Sequence, residues 1–166
     1  MPLRPPVRSA GILLYRSTRF PEGEVFEILI GHMGGPFWAA KEAAAWTIPK
    51  GLINVADIDD LATACREFRE ETGHTVPTSD LTDLGVFAQS QAKEIHIWAG
   101  PGDLDAAVCT SNSFEMEWPP KSGQIREYPE LDRFEWCSFR VARERLVVGQ
   151  RQVLDALETI GCTDSA

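Results

Sequence analysis

At 166 residues the chain is the size of one domain and long enough to bury a proper core. Hydrophobic residues make up 43% and charged residues 25%, which excludes a disordered or low-complexity chain. A net charge of −9 argues against a general nucleic-acid or anionic-membrane surface, so neither a nucleic acid polymer nor a membrane is an expected partner.

Residues 1–6 are Pro-rich and predict a loose start, with no long apolar run of the kind a signal peptide carries. Nothing later approaches a membrane span. Ser9–Arg16 (SAGILLYR) and Val25–His32 (VFEILIGH) read as two strands, joined by a Pro- and Gly-bearing turn into a hairpin. Phe37–Ala45 reads as a loop, followed by Trp46-Thr47-Ile48 and then Pro49-Lys50-Gly51, where a glycine allows close approach of another group to the backbone.

From Ile58 the apolar residues Ile58, Leu61, Ala62, Cys65, Phe68 and Thr72 fall at helical spacing and predict one buried stripe. Asp57 or Asp59 can cap this helix, and Gly73 is placed to end it. Glu67, Glu70 and Glu71 stand at i, i+3 and i+4, so their carboxylates share a face, expected nearly opposite Phe68. Such a face is either solvated, with Arg66 and Arg69 as partners, or a hard-cation site of the kind that suits Mg²⁺. The helix alone leaves both readings open.

Leu84–Gln89 and Glu94–Ala99 have strand character across a polar link, and Asp103–Ala107 predicts a short helical turn. Phe114–Glu130 reads as one long polar, Pro-rich loop of the kind that carries function. Arg133–Cys137 is a last strand, and Ser138–Val147 and Gln150–Ile160 are helices. Without an internal repeat or linker, the expectation is one domain over 1–166. Strands, one helix, strands and C-terminal helices predict an α/β chain with a mixed sheet covered on both sides. The cysteines Cys65, Cys109, Cys137 and Cys162 form no CxxC pair and read as reduced thiols of a cytoplasmic protein.

Gly51, Asp57 and the run Arg66-Glu67-Phe68-Arg69-Glu70-Glu71-Thr72-Gly73 together resemble the Nudix box, G-x5-E-x7-R-E-U-x-E-E-x-G-U with U aliphatic. The second half matches in full. In the first half Asp57 stands where Glu is usual, one extra residue separates it from Arg66, and the loop lacks the usual Pro-Gly. His74 replaces the last aliphatic residue. SAGILLYR, GGPFWA, WTIPKG, EWPPKSG and PELDRFEW are similar to a bacterial Nudix group described as predicted NTP pyrophosphohydrolases. SAGILLYR and WTIPKG also look like dinucleoside tetraphosphate hydrolases.

The resemblance implies a Nudix α/β/α sandwich with the box as loop–helix–loop. It implies hydrolysis of a pyrophosphate bond in a nucleoside diphosphate linked to a group X, such as an NTP or a dinucleoside polyphosphate. Mg²⁺, or Mn²⁺, would be the cofactor, with Glu67, Glu70, Glu71 and the Gly51 carbonyl as ligands. Glu67 is also the candidate to orient or deprotonate water, and Arg66 to hold a neighbouring carboxylate. Asp57 is expected to be a helix cap or ion-pair partner. Glu115, Glu117, Glu127 and Glu130 are candidates for a separate general base.

Lys50 and Lys93 are phosphate-contact candidates, or else ordinary surface lysines. Trp38 and Trp118 sit in loops and are candidates to stack on a base. His32 and His96 lie in strands and read as core or edge histidines. The competing function is a non-catalytic Nudix-fold module that senses a nucleotide, which the altered Asp57 loop favours and the intact glutamates oppose. The sequence leaves a homodimer open.

Overall fold

The computed structural model describes residues 4–162, so the Pro-rich start is described only from Arg4 and residues 1–3 lie outside it. A seven-stranded mixed sheet is built around β1 (Val7–Phe20). β1 turns at Pro21-Glu22 into antiparallel β2 (Gly23–Met33), as the two apolar runs predict. β3 (Trp46–Thr47) pairs with β2 and β4 (Lys50–Leu52) pairs with β1. α1 (Asp60–Thr72) follows, then the hairpin of β5 (Thr82–Ser90) and β6 (Lys93–Pro101). β6 runs parallel to β1 along its whole length, which is what makes the sheet mixed.

After a short 3-10 turn at Ala106–Val108, β7 (Ser113–Glu117) and β8 (Ile125–Pro129) form a separate two-stranded sheet. β9 (Leu131–Ser138) returns to pair with β2, and α2 (Phe139–Arg145) and α3 (Gln152–Thr159) close the chain. Ser138 caps α2 by accepting from the Val141 N–H.

β1 is apolar on both faces because both faces are covered. Ala10, Ile12 and Leu14 pack with Ala64 and Phe68 of α1 and with Trp98. Leu13, between them, packs with Ile28, Ile97 and the α2–α3 residues Phe139, Leu154 and Leu157. This is the α/β/α sandwich, and no helix among the described residues is long and apolar enough to cross a membrane. All four cysteines are free.

Two expectations need correction. Residues 114–130 are a hairpin, not one long loop: Phe114, Met116 and Trp118 are half-buried and alternate with exposed Glu115 and Glu117, a period of two. The charges and prolines of the turn mask that alternation. The phase of α1 also differs. Its helix begins at Asp60 with Asp59 as the cap, and Ile58 is 93% exposed. The buried residues are Thr63, Ala64, Glu67, Phe68, Glu71 and Thr72. Relative to the apolar stripe, that face is turned by roughly 100°, about one residue of helix. Two of the three glutamates therefore point inward, and the acidic face is not opposite Phe68.

Candidate active site

α1 is set by its ends. The Asp59 carboxylate accepts from the Ala62 N–H at 2.7 Å, and Gly73 closes the helix in the left-handed region at φ 78°. The last carbonyls of α1 are taken up by the next segment: Asn112 N–H donates to Glu70 O and Thr110 N–H to Thr72 O. The segment leading into the β7–β8 hairpin is thereby tied to the acidic end of α1.

Glu71 is 6% exposed, and its Oε2 accepts from the Lys50 backbone N–H at 2.8 Å. Burial pushes its carboxyl up to about 8; Lys50 opposes the rise, while Glu130 and Glu67 add to it. Glu67 is raised for the same first reason, burial, against the pull of Arg66. Its carboxylate lies against Gly51, where an added Cβ would fall 2.0 Å from Cδ, so any larger residue there would displace the Glu67 carboxylate. The sequence motif thus brings Gly51, Glu67, Glu71 and Lys50 together.

Arg66 organises the outer side. Nε and one terminal nitrogen donate to the two Asp57 oxygens at 3.2 and 3.0 Å, and the other terminal nitrogen to Glu67 at 2.8 Å and Glu70 at 3.2 Å. Asp57 also accepts from the Thr63 hydroxyl and the Asn54 N–H. These contacts, Arg66 first, hold its carboxyl well below the usual range. Asp57 is thus an ion-pair partner that orients Arg66, and the cap is Asp59.

A cleft of about 230 Å³ opens beside this cluster. Lys50, Glu71 and Glu130 line it together with Met33, Trp38, Phe114 and Leu131. Glu130 is exposed, yet partial burial raises its carboxyl, with Lys50 opposing and Glu70 adding. Trp38 is held edge-on to Phe37 at 5.0 Å, with the Lys41 ammonium over both rings.

Other candidates lie elsewhere. Lys93 is exposed at the β5–β6 turn and lines none of the cleft. Trp118 follows the end of β7 and does not line this cleft, whereas Phe114 of the same hairpin does. The alternation in 114–118 is the signal that would have found Phe114. Glu115 and Glu127 pair across the opposite face of the hairpin, and Glu117 points the same way, leaving Glu130 as the one of these four at the cleft. His32 is fully buried between the Asp132 carboxylate and the Lys41 carbonyl, and His96 bridges Asp60 and Asp83. Both are satisfied structural histidines.

Among the described residues no three acidic, thiol or imidazole side chains converge as a metal cluster, and Arg66 holds Glu67 and Glu70. The donor chemistry does fit a hard divalent cation. Every donor is oxygen, the Gly51 backbone is bare toward Glu67, and the buried carboxylates lack full compensation.

The family model of the NUDIX domain matches residues 5–157. The chain is 29% identical over 127 residues to an uncharacterized 17.7 kDa protein of Enterobacteria phage T4, covering 76% of this chain and 78% of that protein. It is 30% identical over 142 residues to an octanoyltransferase of Myxococcus xanthus, covering 86% of this chain and only 34% of that enzyme. Its fold is similar to a C. elegans Ap4A hydrolase in a binary complex, with a TM-score of 0.59, 18% identity and coverage of 92% and 96%. The NUDIX domain of Shewanella oneidensis NrtR, complexed with ADP ribose, gives a TM-score of 0.62 at 12% identity, with coverage of 95% and 90%. At these identities the solved structures speak to the fold.

Proposed function

The chain belongs to the NUDIX family of pyrophosphohydrolases, and on that premise we propose that it hydrolyses a phosphoric anhydride bond in a nucleoside diphosphate linked to a group X. X would be a further phosphate, as in an NTP, or a phosphate chain ending in a second nucleoside. Residues 1–166 would act as one catalytic domain. The observation that carries this reading is the mixed lining of the cleft, where Lys50, Glu71 and Glu130 occur together with aromatic and aliphatic residues. A nucleotide has that same combination of charged chain and flat ring.

Glu67, Glu70, Glu71 and the Gly51 carbonyl would hold Mg²⁺ or Mn²⁺. When bound, the cation supplies charge neutralisation at the phosphate oxygens and a more acidic water. Lys50 would meet a phosphate oxygen from the cleft side. Glu130 would take the proton of the attacking water, its raised carboxyl making it a better acceptor than an ordinary surface glutamate. Trp38 and Phe114 would stack on the base. Arg66, anchored by Asp57, would set the positions of Glu67 and Glu70.

A second reading is a nucleotide-sensing module without turnover. The altered first half of the box favours it, because the Asp57 that stands where Glu is usual is engaged by Arg66. The test is separation of the nucleotide products formed from a panel of NTPs, ADP-ribose and dinucleoside polyphosphates with Mg²⁺ or Mn²⁺. Turnover that chelator abolishes supports the hydrolase. Calorimetric binding with no turnover would leave the sensing module standing.

A further inference from the structure

Gln150 lies at the end of a 3-10 turn, Val148–Gln150, between α2 and α3, and its side chain is fully buried. We propose that Gln150 is a positioning residue for the cleft, whose carboxamide fixes the strand segment that delivers Lys50 and Gly51.

The C-terminal segment runs alongside β3. Leu146 bridges Trp46 in the parallel sense, and Val147 N–H donates to Trp46 O at 2.9 Å. The backbone ladder stops there, which would leave the buried Ile48 N–H without a partner. Gln150 Oε1 supplies it, accepting from Ile48 N–H at 2.8 Å. Its Nε2 donates to the Thr47 hydroxyl at 2.9 Å, and that hydroxyl donates to Ile48 O. One side-chain amide therefore stands in for the next rung of a strand.

The turn is held in place from the other side. Gly149 lies so close to β5 that an added Cβ would fall 2.0 Å from Gln89 O. The segment it steadies leads straight into the site: Thr47 lines the cleft, Lys50 N–H reaches Glu71, and Gly51 faces Glu67. Pro49 sits between, its carbonyl accepting from Ile12 N–H. Without the Gln150 contact, the stretch from Thr47 to Lys50 loses its tie on the α2–α3 side. Lys50 and Gly51 keep their ladder to β1, but the stretch that leads into them is then held from one side only and their placement against the glutamates of α1 loosens.

On the hydrolase reading above, loss of this tie lowers kcat and weakens the cation without emptying the base wall. The experiment compares Gln150→Met, which keeps length and loses the hydrogen bonds to Ile48, Thr47 and Gln89, with Leu157→Ala, a fully buried α3 residue away from the cleft. Melting temperature, kcat and KM for ATP, and Mn²⁺ affinity by paramagnetic resonance are read for each below its melt. Gln150→Met should lower kcat and Mn²⁺ affinity ~10-fold each, the usual size for a group that orients ligands, with KM nearly unchanged. Leu157→Ala should lower only the melting temperature. Should Gln150→Met not fold, Thr47→Val removes the hydroxyl that Nε2 reaches and should act in the same direction. Kinetics and Mn²⁺ affinity equal to those of Leu157→Ala would overturn the positioning role. If the wild type turns over no nucleotide, the hydrolase reading fails while the Mn²⁺ comparison still decides the role of Gln150.

Discussion

The Lys50 backbone N–H and the Glu71 carboxylate meet at 2.8 Å, joining the β4 strand to the last turn of α1 across 21 positions of sequence. A buried carboxylate with one backbone donor is only partly compensated, so its neutral form is favoured and its pKa lies at about 8. The same strand end brings the bare Gly51 against Glu67. Two contacts between β4 and α1 thus set the geometry of the acidic end of the cleft.

The first prediction concerns pH. Glu71 has a raised folded pKa, so between about 4.5 and about 8 the folded state binds more protons than the unfolded one. Its contribution to stability is fully present below the unfolded value and is lost as pH rises through 8. In chelator, the melting temperature should therefore fall from pH 5 to 8, and Glu71→Gln should flatten that fall. A difference of ~1 kcal/mol corresponds to about 3 °C in a chain of this size. Parallel curves for the two proteins would show that Glu71 is ionised in the fold already at pH 5.

The second concerns charge at the site. Glu70→Gln and Glu71→Gln keep shape and remove a negative oxygen donor each. Either should lower kcat by ~100-fold or more, above the range for residues that only orient ligands. Asp57→Asn weakens the bidentate hold on Arg66 without touching the cleft, and ~10-fold is expected. Steady-state turnover with saturating Mg²⁺ measures all three. Near wild-type rates in both glutamate variants would remove them from the ligand set.

Most of the sandwich was legible because strands buried on both faces leave long apolar runs, as in SAGILLYR and VFEILIGH. The phase of α1 was not, because apolarity is a poor guide where buried residues are charged: Glu67 and Glu71 turn inward toward Gly51 and Lys50, which no count of hydrophobic residues anticipates. The glutamates themselves were legible from their spacing. Phe114 was hidden inside a segment whose prolines and charges look like a loop. Gln150 carries no signal in one sequence, since a glutamine that replaces a strand rung is identified only by the backbone it meets.

A third prediction concerns metal and stability. Burial raises Glu67, Glu71 and Glu130, and neighbouring glutamates add to it: Glu70 and Glu130 on Glu67, Glu130 and Glu67 on Glu71, and Glu70 on Glu130. A cation that binds the folded state relieves this and stabilises by mass action, about 2.7 kcal/mol at ~100 times Kd. Melts with Mg²⁺ should exceed melts at matched Na⁺ ionic strength, and Glu71→Gln should shrink the gap. An unchanged melting temperature, together with no turnover, would leave an acidic interaction domain as the better account.

The last prediction concerns what lies beyond the first ring of the substrate. Phe114 rests against Gly35 and lines the cleft, and Met116 and Trp118 continue the same face of the hairpin outward. Arg126 sits opposite Met116 on that face, while Glu115 and Glu127 face each other on the reverse. The face leading away from the cleft is therefore aromatic with a cation, and the reverse face is acidic. A second nucleoside on a long phosphate chain matches the first of these. Stacking on an aromatic side chain contributes ~1–3 kcal/mol per base, so its loss corresponds to ~10-fold in KM. Phe114→Ala should raise KM for ATP and for Ap4A alike, because both place a ring in the cleft. Trp118→Ala should raise KM for Ap4A alone. Equal effects of Trp118→Ala on both substrates would take the outer hairpin out of substrate choice, and no effect on either would make Trp118 a packing residue of the turn.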